Sequence, residues 1–206
     1  MLDPATLRKA RRHLAAADPV MARLVEHIGP RPRELRRGGS GFAYLGRAIL
    51  GQQISGAAAR AIAGRLTARF GWPWRPAHLL AAPETELRSL GLSRQKAAYL
   101  RDLAARTRDG LPLGRLSHLS DERVIEALTV VKGVGRWTAE MFLIFRLQRP
   151  DVLPLDDLGI QTAMKRAYRM RGRPRKERLR RIARAWRPYR TVACLYLWRS
   201  LEPPAR

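Results

Sequence analysis

The 206-residue chain carries 41 Lys and Arg against 17 Asp and Glu, a formal charge of +24 at neutral pH. That exceeds what solubility requires and calls for a polyanionic partner; DNA, RNA and an anionic membrane surface all satisfy charge alone. Apolar residues at 46% exclude a disordered polycation, and the length suits one substantial core or two small lobes sharing a cleft. The single cysteine, Cys194, in an apolar run, excludes an internal disulfide, a cysteine zinc finger and a four-cysteine iron–sulfur cluster.

The four histidines, His13, His27, His78 and His118, are dispersed, so no catalytic metal is expected. The first residues lack an apolar signal core, and no apolar run approaches the roughly 18 residues of a membrane span. A cytoplasmic protein, nucleoid-associated if bacterial, is the expectation, with no membrane partner.

In chain order, Asp3 is a candidate N-cap for a helix over 4–17, with Leu7, Ala10, Leu14 and Ala17 at helical spacing. A second short helix follows over 19–28. Residues 29–41, with Pro30, Pro32 and four glycines, predict a loop that could link two lobes. Phe42, Leu45, Ile49 and Gln53 mark a helix, and Ser55 caps the next, which carries Ile62, Leu66 and Phe70 and stops at Gly71. After a loop at 72–76, Pro83 and Gly91 bracket a short helix, Ser93 opens another with Ala97, Leu100 and Ala104 inward, and Ser120 opens one more. Pro150 and Pro154 break the pattern and leave Asp156 and Asp157 at the mouth of a helix whose inner face is Ile160, Met164 and Tyr168. Two helices follow, over 176–187 and 189–201, the first burying Leu179, Ile182 and Trp186. No segment alternates with period two, so the fold class is all-α.

Between the apolar pattern of Val124, Ile125 and Leu128 and that of Phe142, Leu143 and Phe145 lies Lys132-Gly133-Val134-Gly135-Arg136-Trp137-Thr138. Two glycines spaced by one residue allow a tight turn and bring bare backbone close to a partner at a helix start, where amides favour an anion. Taken alone, such a turn is more often a structural helix cap than a phosphate site. Asp156 and Asp157 are similarly ambiguous, since either could cap its helix.

The string LTVVKGVGRWTAEMF followed by DVLPLDDLGI, with RAILGQQIS before and AWRPYRTVACLYLW after, resembles the helix-hairpin-helix DNA glycosylases, most closely the 3-methyladenine DNA glycosylase II family. Four motifs in order, from about residue 42 to 198, carry the resemblance. It implies two helical lobes flanking a DNA-binding cleft: a central lobe over 41–148, containing the hairpin at about 120–147, and a second formed by 1–40 and 149–206. It also implies the short form of the family, without an N-terminal β-domain.

The resemblance places the catalytic carboxylate on Asp157, 20 residues after Trp137, with Asp156 supporting or capping. Alkylated purines leave as good leaving groups, so the enzyme mainly stabilises a positive sugar, and a carboxylate at a helix N-terminus suits that task. Where bifunctional relatives carry a lysine nucleophile this chain has Trp137, which implies a monofunctional glycosylase without lyase activity. The base pocket implied comprises Trp137, Trp198, Met141, Leu158 and Gln52; Met141 and Leu158 replace tyrosines of one branch, so the pocket is less aromatic and its substrate range open. DNA contacts are implied for Gln53, which would fill the gap left by a flipped nucleotide, and for Lys132, Gly133, Val134, Gly135, Arg136 and Thr138. No cofactor is required, though a structural monovalent cation at the hairpin carbonyls is implied. The expected partner is double-stranded DNA containing alkylated bases, bound by a monomer. The alternative is a non-catalytic helix-hairpin-helix module recognising damaged or branched DNA; a glycosylase for a neutral base lacks an obvious acid.

Overall fold

A computed structural model describes residues 2–30, 32 and 39–203; most of the expected loop at 29–41 lies outside them. The helices are α1 (Pro4–Ala17), α2 (Pro19–Ile28), α3 (Gly41–Gly51), α4 (Gly56–Phe70), α5 (Pro76–Ala81), α6 (Glu84–Ser89), α7 (Arg94–Arg108), α8 (Asp121–Thr129), α9 (Arg136–Met141), α10 (Leu158–Ala167), α11 (Lys176–Ile182) and α12 (Arg190–Arg199). A 3-10 turn occupies Leu116–His118 and a π-helical turn continues α9 over Phe142–Arg146. No strand occurs among the described residues, as an all-α chain requires.

Helix starts follow local chemistry. Asp3, Asp18, Ser40, Ser55, Ser93, Ser120 and Asp157 each accept a hydrogen bond from a first-turn amide, meeting a donor that the helix itself leaves unpaired. Three expected boundaries shift. The segment at 72–76 is a loop, but Pro76 then starts α5, a single short helix with no side-chain cap for a sequence pattern to reveal. Pro83 is the N-cap of α6, one position before its first turn. The helix expected over 176–187 ends at Ile182 and continues as turns, although Trp186 is still fully buried.

The chain divides into two compact units: Met1–Arg36 with Leu143–Arg206, and Arg37–Phe142. The expected division fell at 148. Phe145 accounts for part of the difference, since it stacks on Trp198 with centroids 5.6 Å apart, within the first unit.

In that first unit α12 is the central element. Thr191, Val192, Ala193, Cys194, Leu195, Tyr196 and Leu197 are all buried on successive positions, so this stretch of the helix is enclosed on every side, as a run that is apolar all round must be, and its Thr191 hydroxyl is hydrogen-bonded. α1, α2 and α10 pack against it, bringing Leu14, Met21, Ile160, Met164 and Trp186 into one core. In the second unit α7 packs on α3, α5 and α6. Trp74 is 1% exposed and donates from its indole to Thr67 Oγ1 at 3.2 Å. Gly46 lets α3 approach it, since a Cβ there would meet the indole at 3.3 Å.

Candidate active site

Asp157 is the N-cap of α10. Its Oδ1 accepts from the Ile160 backbone N–H at 2.8 Å and from the Trp198 indole Nε1 at 2.9 Å. With 9% of its surface exposed, the carboxylate is buried, and these donors satisfy the oxygen that burial removes from water. Trp198 in turn stacks on Phe145, so an aromatic pair orients the acid.

The approach to Asp157 is fixed from below. Thr191 on α12 donates from Oγ1 to the Arg149 carbonyl at 2.6 Å and accepts from Val152 N–H at 3.0 Å. Arg190 grips Asp151 at 2.7 and 2.9 Å, and Gln161 donates to the Leu155 carbonyl at 2.8 Å. The backbone leading into the N-cap is thereby held to α12 and α10. Asp156 is exposed and ion-paired with Lys176. The two aspartates thus have different surroundings, one buried and hydrogen-bonded, one at the surface. Leu158, the next residue, is 70% exposed.

Gly159 was not singled out by the sequence, yet it bears on this geometry. A Cβ there would lie 3.0 Å from Asp157 Oδ1 and 3.1 Å from Trp198 Nε1. Gly159→Ala is expected to displace the indole–carboxylate contact and lower any Asp157-dependent rate by about 10-fold or more, with the melting temperature nearly unchanged; rate and thermal melt on one preparation check it.

In the other unit the hairpin joins α8 to α9. Val131 N–H closes on Leu128 O at 3.1 Å and Val134 N–H on Val131 O at 3.0 Å. Gly133 takes φ +82°, and Gly135 is the N-cap of α9 with no side chain to cap it. The first amides of α9 have no acceptor within the helix, which is what an anion-binding turn offers. The turn is pinned from three sides: Gln52 Nε2 donates to Gly133 O at 2.7 Å, Lys132 N–H donates to Asp102 Oδ2 at 2.9 Å, and the Tyr99 ring backs Gly133, where a Cβ would come within 2.2 Å of it. Gly133→Ala combines that overlap with an unfavourable φ and is expected to cost about 2 kcal/mol or more, seen as a lowered denaturation midpoint.

The remaining sequence-derived residues fall into distinct settings. Lys132 and Trp137 project at the surface, Trp137 being 44% exposed. The side chains of Val134, Thr138 and Met141 are buried, so Val134 and Thr138 could meet a partner only through their backbone. Arg136 bridges the hairpin helices, donating to both Glu122 oxygens at 2.7 and 3.1 Å and to Glu140 Oε1 at 3.2 Å. The Glu122 hydrogen bond, foremost among several causes, raises the guanidinium pKa. Gln52 ends α3, and Gln53 beyond it adopts a left-handed φ of +57°, a conformation that a non-glycine residue keeps at some cost. Sequence reasoning missed Asp102, Tyr99 and Phe145 because each acts across a long stretch of chain. No cluster of three or more His, Cys, Asp or Glu suited to a metal occurs among the described residues, and no described helix is long and apolar enough to cross a membrane.

Comparison with known proteins places this geometry. The family model described as HhH-GPD superfamily base excision DNA repair protein matches residues 47–188. DNA-3-methyladenine glycosylase 1 of Schizosaccharomyces pombe is 35% identical over 200 residues, covering 95% of this chain and 88% of that protein. YfjP of Bacillus subtilis is 34% identical over 164 residues, 76% of this chain but 57% of that longer protein. A solved structure of the Schizosaccharomyces pombe 3-methyladenine DNA glycosylase in complex with abasic DNA superposes with a TM-score of 0.83 at 34% identity, covering 95% of this chain and 98% of that one. With its hairpin, its buried N-cap aspartate and these matches, the chain belongs to the HhH-GPD superfamily of base excision DNA repair proteins.

Proposed function

We propose that the chain is a monofunctional DNA glycosylase that hydrolyses the N-glycosidic bond of alkylated purines of the 3-methyladenine and 7-methylguanine type, leaving an abasic site. The observation that carries this reading is the Asp157 carboxylate, buried at a helix N-cap and oriented by the Trp198 indole, in a chain of this superfamily. Relatives at 34–35% identity bear 3-methyladenine glycosylase names, which supports the substrate class.

In the proposed reaction the hairpin amides hold backbone phosphates and the damaged nucleotide is flipped from the stack, Gln53 filling its place. Alkylation at N3 or N7 makes the base a cation, so it departs neutral without a proton from the enzyme. As the bond from C1′ to the base lengthens, positive charge builds on the sugar, and the negative Asp157 stabilises it where water is scarce. Water then adds to C1′ and its proton leaves to solvent or to the carboxylate. Trp198 and Leu158, in the unit that carries Asp157, are proposed to face the base; an indole face suits a cationic ring. In the other unit the Gln52 amide supports Gly133 of the hairpin turn. Carbonyls of the hairpin turn would hold a monovalent cation, and the protein acts as a monomer on chromosomal DNA.

The test is to incubate the protein with a duplex carrying one 7-methylguanine, then compare strands before and after hot alkali. Strand breaks are expected only after alkali, and borohydride should trap no covalent adduct. A trapped adduct lost on Lys132→Gln would refute the monofunctional assignment.

A further inference from the structure

The unit that contains Asp157 also holds a cavity of about 370 Å³ whose wall includes Arg171, Arg173, Arg175, Arg178 and Arg181, with Glu177 the only acid. Arg171, Arg173 and Arg175 come from the link between α10 and α11, where Gly172 turns the chain at φ +67°; Arg178 and Arg181 come from α11 itself. Buried Met170 lies at its edge, while all five arginines are exposed.

Five like charges on so small a surface repel one another, and a fold gains nothing from gathering them. Elsewhere the protein pairs its arginines: Arg69 with Glu86, Arg106 with Asp102, Arg136 with Glu122, Arg190 with Asp151. Among the described residues no ion pair engages any of the five cavity arginines. Lys176, between Arg175 and Glu177, turns instead to Asp156, and so ties the start of α11 to the residue preceding the candidate catalytic carboxylate.

We propose that this cavity is a second DNA-backbone site, taking phosphates of the bound duplex in addition to those held by the hairpin. It rests on the reading of the chain as a DNA glycosylase. Every cation lining the cavity is arginine, whose planar fork matches phosphate oxygens, and five positive charges exceed what one free phosphate can balance. A strand supplies one negative charge per phosphate at regular spacing, which suits exposed guanidiniums spread around an open rim.

The experiment compares the full chain with Arg173→Gln/Arg178→Gln and with a charge-matched control, Arg180→Gln/Arg184→Gln, whose residues are exposed but do not line the cavity. Affinity for a duplex with a tetrahydrofuran abasic analogue is followed by fluorescence anisotropy across a salt series. The cavity variant is expected to show a log-affinity versus log-salt slope shallower by about two and an affinity lower by about 10-fold or more near 0.1 M salt, with the control changed much less. Equal losses in both variants, or none in either, overturn the proposal. Calorimetric binding of inorganic phosphate that only the cavity variant loses, with DNA affinity intact, would assign the cavity to a free anion and overturn it too. If the wild type releases no methylated base yet the slopes differ as expected, the glycosylase reading fails and this site stands; base release with equal slopes gives the reverse.

Discussion

Asp157→Asn is expected to lower the single-turnover rate of base release by roughly 10²–10³-fold or more, the range for removing one preorganised charge-stabilising group, while fold and affinity for abasic-site DNA persist. The substitution replaces a charge and little else. An asparagine oxygen caps a helix about as well as an aspartate oxygen, so the Ile160 amide keeps an acceptor, and so does the Trp198 indole. What disappears is the negative charge proposed to stabilise the developing positive sugar. Unchanged melting with lost turnover separates chemistry from stability.

The largest expected stability effect lies elsewhere, at Asp18. Its carboxylate is 7% exposed and accepts from four donors: the backbone N–H of Val20 at 2.8 Å and of Met21 at 3.3 Å, the Tyr168 hydroxyl at 2.5 Å and the Trp186 indole at 3.0 Å. It therefore caps α2 and fastens α2 to the end of α10 and to the turns after α11. Asp18→Ala removes the cap and strands two donors in the core, an expected loss of about 3–5 kcal/mol, against a total of about 5–15 kcal/mol typical of folded domains. Chemical denaturation of the two proteins checks it.

The same residue dictates a pH response. Burial pushes the Asp18 carboxyl up, but hydrogen bonds from Tyr168, Trp186, Val20 and Met21 outweigh it and hold the pKa below the ordinary 3.8. A carboxyl depressed in the folded state contributes its full stability above the unfolded value and loses it as pH falls through the folded one. Denaturation midpoints measured downward from pH 6 should therefore drop below about pH 4, and drop less in Asp18→Ala. Tyr168 is shifted the opposite way, its hydroxyl pushed up by burial and then by the Asp18 carboxylate.

What could be read from the sequence was what local chemistry controls. Ser55, Ser93 and Ser120 announce helix starts because the capping oxygen and its amide are three residues apart. The glycine pair at 133 and 135 announces a turn, and the two aspartates a helix mouth. Contacts between distant residues left no such trace. Asp18 meets Tyr168 and Trp186 across 150 and 168 residues, and neither spacing nor periodicity reports such a meeting. Phe145 reads in sequence as one more apolar residue after the hairpin, whereas it stacks beside the indole that orients Asp157. For Arg136 the sequence carries only a DNA contact implied by resemblance, and nothing in it shows that the side chain spans two glutamates and clamps α8 to α9. Trp74, within a Trp-Pro-rich loop, fills a core position that only tertiary packing defines.

The central claim is that one oriented carboxylate turns a DNA-holding fold into an enzyme. The measurement that tests it most directly is mass-spectrometric identification of free bases released from randomly methylated duplex DNA by the wild-type protein and by Asp157→Asn at equal, saturating concentration. The account predicts 3-methyladenine and 7-methylguanine from the wild type and neither above background from the variant. Equal release by both, or release by neither from DNA that both bind, would contradict it.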